Sequence, residues 1–422
     1  MPAQQEQWQA LEETRARTLE LVEGLDEAAL QRVITPLLSP LVWDLGHIAN
    51  FEHRWLLGAQ TELDGIYNPF ENPRDTRGDL PLMDPDECFG YMRAVREQVA
   101  QRITECEPFN LELVISHEQQ HNETMLQLLR IIPDHVPVWR RPCAPSGDKV
   151  SGSDDASYWI ELPEGDHEFG TTPAGPEVFA YDNECLAHDR RIEPALIGRR
   201  PVTNAEYTEW VEGGGYGSDR WWSAEGLAWR DENAVQAPLA WERDCDGSWF
   251  ERNGGVRERL RAGAPVVHIC WFEAEAFARA HGARLPTEFE WEVAATHDPG
   301  ADRRLNPWGD KAWEPGRAVL DQRSFGTTEE TPHERVAGAS PLGCEQMLGQ
   351  VWEWTTSEFA AYPGFTPFRY REYSKPFFDG RFRVLRGGSW ATRPRTVNAR
   401  FRNWDFPQRR QLFAGFRLAR DV

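Results

Sequence analysis

In the run Ser116-His117-Glu118-Gln119-Gln120-His121-Asn122-Glu123-Thr124-Met125, two histidines stand four residues apart inside a helical pattern. Residues at that spacing share one helix face, so His117 and His121 can present two imidazoles to one ion. Both fall on the stripe Val114, His117, His121, Met125 and Leu128, which should face the interior of a helical bundle. Three readings compete. The pair can be two satisfied core histidines. Taken literally as HExxH, it makes Glu118 the general base of a zinc hydrolase, but the residues from Asn122 onward continue the helix and supply no third ligand. The third reading draws the remaining ligand from another helix, as bundle metal sites do. Upstream, Leu41-Val-Trp-Asp-Leu-Gly-His-Ile-Ala-Asn-Phe-Glu-His-Arg-Trp55 offers His47 and His53, and helical geometry does not choose between them. Three neutral imidazoles would leave coordination positions open, as a catalytic site requires. Imidazole suits zinc and iron(II) alike.

Apolar residues at three- and four-residue spacing mark four helices, near 5–25, 41–58, 84–105 and 109–131, which most simply form a bundle. Asp84-Pro85 followed by Glu87 is a helix start. Beyond residue 140 the texture changes. Arg140-Arg-Pro-Cys-Ala-Pro-Ser-Gly-Asp-Lys-Val-Ser-Gly-Ser-Asp-Asp-Ala156 reads as a linker, and 15 of the 19 tryptophans follow it. The second half has short strand-like runs, Tyr158–Leu162, Val266–Ile269 and Arg383–Leu385, between long irregular stretches that aromatic residues can anchor. The expected organisation is an α+β chain of two domains: a bundle over 1–140, a linker over 141–157 and a second domain over 158–422.

At 422 residues the chain has ample length for two cores. Lys plus Arg number 46 against 68 Asp plus Glu, a formal charge of -22 that repels phosphate backbones and anionic lipid. No nucleic-acid or membrane partner is therefore expected. Only Lys149, Lys311 and Lys375 are lysines. The amino-terminal residues lack the apolar core of a signal peptide, and no run of apolar residues is long enough to span a membrane. Seven cysteines without a CxxC spacing resemble neither a disulfide framework nor a thiolate metal site. The expectation is a cytoplasmic monomer acting on small molecules.

Leu37-Leu-Ser-Pro-Leu-Val-Trp-Asp-Leu-Gly-His47 and the 116–125 run resemble the DinB-like four-helix bundle of the ergothioneine-biosynthesis sulfoxide synthases. The second half resembles the formylglycine-generating-enzyme (sulfatase-modifying factor) fold, a variant of the C-type lectin fold. The matching strings are Pro201-Val-Thr-Asn-Ala-Glu-Tyr207, Arg284-Leu-Pro-Thr-Glu-Phe-Glu-Trp-Glu292, Asn306-Pro-Trp-Gly-Asp310, Gly349-Gln-Val-Trp-Glu-Trp354, Arg386-Gly-Gly-Ser-Trp390 and Ala414-Gly-Phe-Arg-Leu418. Each string is weak alone; their ordered combination over nearly the whole chain is specific.

The resemblance implies a mononuclear non-haem iron(II) enzyme that uses O2 to join a thiol to C2 of the imidazole of hercynine (N-alpha-trimethylhistidine), giving a sulfoxide. It makes His47, His117 and His121 the metal ligands and leaves His53 as a surface or packing histidine. Arg74 and Arg77, an Arg-x-x-Arg pair whose guanidiniums can fork onto carboxylates, would hold gamma-glutamylcysteine. Gln120 would meet the substrate imidazole, Trp404 beside Asn403 would face the trimethylammonium group, and Asp405 would receive the thiol substrate's ammonium or order the arginine pair. Tyr370 would be the catalytic proton donor and Tyr373 a substrate-positioning residue. The lectin-like fold leaves room for a calcium ion whose ligands the sequence does not assign. Cysteine or a selenosugar (selenoneine synthesis) is the alternative donor. Oxidation of a protein cysteine is disfavoured, because Gly387–Arg402 lacks the cysteine pair that formylglycine-generating enzymes use.

Overall fold

A computed structural model of the chain describes residues 2–132, 135, 158–172, 179–300 and 303–422. The expected linker over 141–157 lies outside them. The chain divides into two compact units, and the first takes in Phe179 and the segment Asn253–Val256 from later in the chain.

The first unit is built on helices α1 (Pro2–Val22), α2 (Glu27–Gln31), α3 (Leu41–Glu52), α4 (Pro85–Arg102) and α5 (Pro108–Ile131). Local chemistry sets their starts. Asp84 and Glu87 form a reciprocal capping box around Pro85 at the head of α4, and Pro108 occupies the first turn of α5, where a missing N–H costs nothing. Every residue of α3 is buried, so it is the central helix rather than an amphipathic surface one. The helix expected over 41–58 is α-helical only to Glu52; a π-helical turn, His53–Leu57, completes it, and Gly58 ends it in the left-handed region at φ 68°. The short α2 was not legible as a helix because its five residues carry no full period.

An ionic cluster crosses the bundle interior. Arg15 of α1 reaches Glu118 of α5 at 2.8 Å and Glu52 of α3 at 2.7 Å, Arg96 of α4 reaches Glu52 at 2.7 Å, and Thr18 donates to Glu118 at 2.6 Å. Each principal helix contributes at least one member. Removing a single partner from such a buried pair costs about 3–5 kcal/mol, because the other charge is left uncompensated.

The second unit holds short, mostly antiparallel sheets joined by long loops. Trp159–Glu161 and Ala419–Asp421 flank Ala195–Gly198 on either side, so the first and last strands share one sheet. A four-stranded sheet runs in the order Asn403–Asp405, Arg383–Arg386, Trp352–Glu358, Ala414–Gly415, and its last pair is parallel. The expected strand at Val266–Ile269 does not form. Val266 N–H bonds Val202 O at 3.0 Å, but His268 turns into the left-handed region at φ 62°, which ends any ladder.

The family strings form the packing skeleton of this unit. In Arg284–Glu292, Thr287 and Glu290 make a capping box, Arg284 pairs with Glu290, Glu288 pairs with Arg402 at 2.7 Å and Glu292 pairs with Arg386. Trp291 donates to Glu353, which also accepts from Arg417 at 2.6 Å. Gly387 sits at φ 95°, where a Cβ would meet Met347 O at 2.7 Å. No helix among the described residues is long and apolar enough to cross a membrane.

Candidate metal centre

Among the described residues, one group of three His, Cys, Asp or Glu side chains could hold an ion: His47 of α3 with His117 and His121 of α5, their ligand atoms within 4.8 Å of one another. A calcium ion in the second unit finds no such group among the described residues. Each ring has a defined environment. His47 Nδ1 lies 2.7 Å from Tyr67 O, so Nδ1–H donates to that carbonyl and Nε2 keeps a free lone pair. His121 Nδ1 lies 3.0 Å from Asp44 Oδ1, so its Nε2 is likewise directed away from the carboxylate. Trp43 stacks on His47 at 4.7 Å and 12°, and Phe51 stacks on His117 at 3.6 Å and 7°. Gly46 is required beside them, since a Cβ there would stand 2.3 Å from the Tyr67 ring.

Electrostatics favour the ligand form. Burial holds His47 well below the usual imidazole range, and His121 and Arg77 push it the same way. Burial, then His121 and His47, do the same for His117. His47 Nε2 and His117 Nε2 are 3.0 Å apart. Two nitrogens each about 2.1 Å from one ion and at a right angle would be separated by about 3.0 Å. The donor set therefore fits a borderline divalent ion such as iron(II) or zinc.

Glu118 is not part of this centre. Its carboxylate is wholly buried between Arg15 and Thr18, so it cannot serve as the base of a hydrolase acting at His117 and His121. One residue along a helix rotates the side chain by about 100°, which is why an HExxH string can send its glutamate elsewhere. His53 points to Tyr91, with Nδ1 3.0 Å from the phenol oxygen.

The remaining expected site residues fall into two groups, one in each unit. In the first unit, Arg77 is buried and hydrogen-bonds Asn72 O at 2.9 Å and Ser39 Oγ at 2.7 Å, while Arg74 donates to Leu37 O at 3.3 Å. Burial, reinforced by Arg74, pushes the Arg77 guanidinium down to about 9. Gln120 is half-buried on α5, next in sequence to His121. In the second unit, Tyr373 stacks on Tyr181 at 3.9 Å, meets Trp404 edge-on at 5.3 Å and lies 5.8 Å from Tyr370. Phe359 covers one face of Trp404 at 4.0 Å. Asn403 Oδ1 accepts from Trp404 N–H, and Asp405 accepts from Phe406 N–H at 2.7 Å with Arg409 at 3.6 Å.

Asp44, Trp43 and Tyr67 were missed at the level of sequence. Asp44 was legible in principle, standing three residues before His47 on the same helix. The Tyr67 carbonyl was not, since a backbone acceptor leaves no trace in residue type.

Comparison with known proteins follows the same division. A DinB superfamily profile matches residues 10–136, and a sulfatase-modifying factor enzyme 1-like domain profile matches residues 149–422. The chain is 43% identical to the hercynine oxygenase of Mycolicibacterium smegmatis over 97% of this chain and 97% of that one. It is 40% identical to the hercynine oxygenase of Mycobacterium tuberculosis over 98% of each. The formylglycine-generating enzyme of Streptomyces coelicolor is 32% identical over 62% of this chain and 89% of its own.

Proposed function

The chain belongs to the hercynine oxygenase family, and from that premise we propose how its residues divide the work of an iron(II)- and O2-dependent sulfoxide synthase acting on hercynine. The observation that carries the reading is the convergence of His47, His117 and His121. Held by them, iron(II) would supply O2 activation and acidify a coordinated thiol. The protein's part is to hold and orient. Tyr67 O and Asp44 fix the orientation of two imidazoles, and the Trp43 and Phe51 rings keep water from two ligand faces.

The thiol donor is gamma-glutamylcysteine in this reading. Arg77 and Arg74 bind its carboxylates, a role supported by the burial of Arg77 with no carboxylate in ion-pair contact among the described residues. Gln120 contacts the hercynine imidazole, Asn403 and Trp404 its trimethylammonium end, and Asp405 the dipeptide's ammonium. Tyr373 positions substrate, and Tyr370 holds a phenolic proton and delivers it during turnover. Six described cysteines are free thiols, which supports a reducing, cytoplasmic setting.

Oxygen uptake by anaerobically iron(II)-loaded protein tests the reading. Hercynine with gamma-glutamylcysteine is expected to give uptake and a sulfoxide conjugate identified by mass, with slower turnover on cysteine. Absence of hercynine-dependent uptake with either thiol, despite bound iron, would overturn it.

A further inference from the structure

Arg77 stands at one end of a stack that terminates on a metal ligand. Its guanidinium carbon lies 3.6 Å from the Trp43 ring centroid, and the same indole is stacked on His47 at 4.7 Å and 12°. The backbone oxygen of Asn72 and the hydroxyl of Ser39 hold Nε and Nη1 in place, and the residue is only 6% exposed. Among the described residues, Nη2 donates no hydrogen bond and no carboxylate forms an ion pair with this guanidinium. Trp43 is itself completely buried and pinned, its Nε1 donating to Ile66 O at 3.2 Å. Guanidinium, indole and imidazole are thus held in register by packing.

We propose that Arg77 couples recognition of the thiol substrate's carboxylate to the metal centre: an anion seated on Arg77 tightens metal binding at His47, and the metal tightens anion binding by the same factor. The inference rests on the reading of Arg77 as a carboxylate-binding residue and goes beyond it. A cation with no carboxylate in ion-pair contact, acted on by Asp44 only at longer range, opposes a nearby divalent ion, and in a water-poor interior the opposition is weakly screened. A carboxylate on Nη2 removes it. Reciprocity then follows from linkage, and the order in which substrate and metal arrive is immaterial to its size. Trp43 acts as the spacer, keeping the guanidinium near the ligand while occupying the space where screening water would sit.

The test is a titration of metal-stripped, full-length protein with cobalt(II), followed by its visible absorption, with and without gamma-glutamylalanine. This dipeptide carries the carboxylates and lacks the thiol, so sulfur ligation plays no part; its own binding is read by calorimetry. The cobalt dissociation constant is expected to fall about fivefold when the analogue saturates. Without analogue, Arg77→Met should bind cobalt severalfold more tightly than the parent, whereas Arg77→Lys, which keeps the charge but loses the same fork of hydrogen bonds, should match it. Analogue binding that leaves cobalt affinity unchanged would overturn the coupling while leaving the substrate reading intact. No analogue binding would overturn both. Equal cobalt affinity in the Met and Lys variants would also overturn the coupling, and the parent titration decides the question if Arg77→Met does not fold.

Discussion

Asp44 precedes His47 by three residues on α3, yet it serves His121 across the bundle, with Oδ1 3.0 Å from Nδ1. One residue earlier, Trp43 covers the face of His47. Adjacent side chains of one helix therefore orient ligands from both α3 and α5. A carboxylate behind a ligating imidazole fixes the ring and raises its basicity, and losing it typically weakens metal binding 10–100-fold. Asp44→Asn keeps an acceptor of the same shape and removes the charge. It is expected to weaken cobalt(II) or iron(II) binding by about tenfold, with little change in the denaturant midpoint of the metal-free protein. Unchanged metal affinity in this variant would remove Asp44 from the centre.

At the scale of elements, the buried ionic cluster decides what the helix bearing the histidines can do. Glu118 occupies the HExxH position of a hydrolase base, but Arg15 and Thr18 engage it at 2.8 and 2.6 Å. Glu118→Gln is expected to lower stability by about 3 kcal/mol, read in denaturant, while metal affinity extrapolated to folded protein stays near that of the parent. A loss confined to activity would restore the catalytic reading of Glu118. In the second unit, the turn Asp182–Glu184 makes a different pH-dependent contribution. Burial pushes the Glu184 carboxyl up to about 7, while the Tyr181 N–H and the Arg386 charge act only partly against it. A raised folded pKa means that the folded chain holds the proton more firmly than the unfolded one. The stability this confers is complete below the ordinary range near 4.5 and is lost as pH rises through about 7. Glu184→Gln is neutral throughout and can still accept from Tyr181 N–H. It should melt a few degrees above the parent at pH 8 and close to it at pH 4.5. Equal differences at both pH values would mean that this group does not titrate as described.

For the whole molecule, a metal held at the proposed centre would be linked to folding. The three histidines come from α3 and α5, with 70 residues between His47 and His117. The unfolded chain cannot gather them, so an ion binds the folded state preferentially. At one hundred times its dissociation constant, the ion adds about 2.7 kcal/mol of stability. Chelation should remove that increment from the unfolding transition of the first unit, and His117→Ala should abolish the response to added metal. A metal-dependent shift that survives in His117→Ala would place the ion elsewhere.

Much of the bundle was legible in the chain itself, because helix-forming residues repeat at 3.6 and local signals mark their ends. The 84–105 stretch carries Asp84, Pro85 and Glu87 in capping order, and the observed helix begins at Pro85. The same period puts His117 and His121 on one helix face. The second unit was legible through its strings rather than through periodicity. Its strands are as short as two or three residues, and its order comes from Arg–Glu pairs distant in sequence, such as Arg402 with Glu288. Helical spacing did not separate His47 from His53; the resemblance favoured His47, and the tertiary structure supplies the physical reason. His47 lies in α3 and His53 opens the π-helical turn that follows it, and their roles depend on whether Tyr67 O and two histidines of α5, or the phenol of Tyr91, face the ring. It also took Glu118 out of the active chemistry and brought Asp44 and Trp43 into the metal site. Residue type and spacing specify which groups share a helix face; what stands opposite that face is set by packing between helices, and only the folded chain contains it.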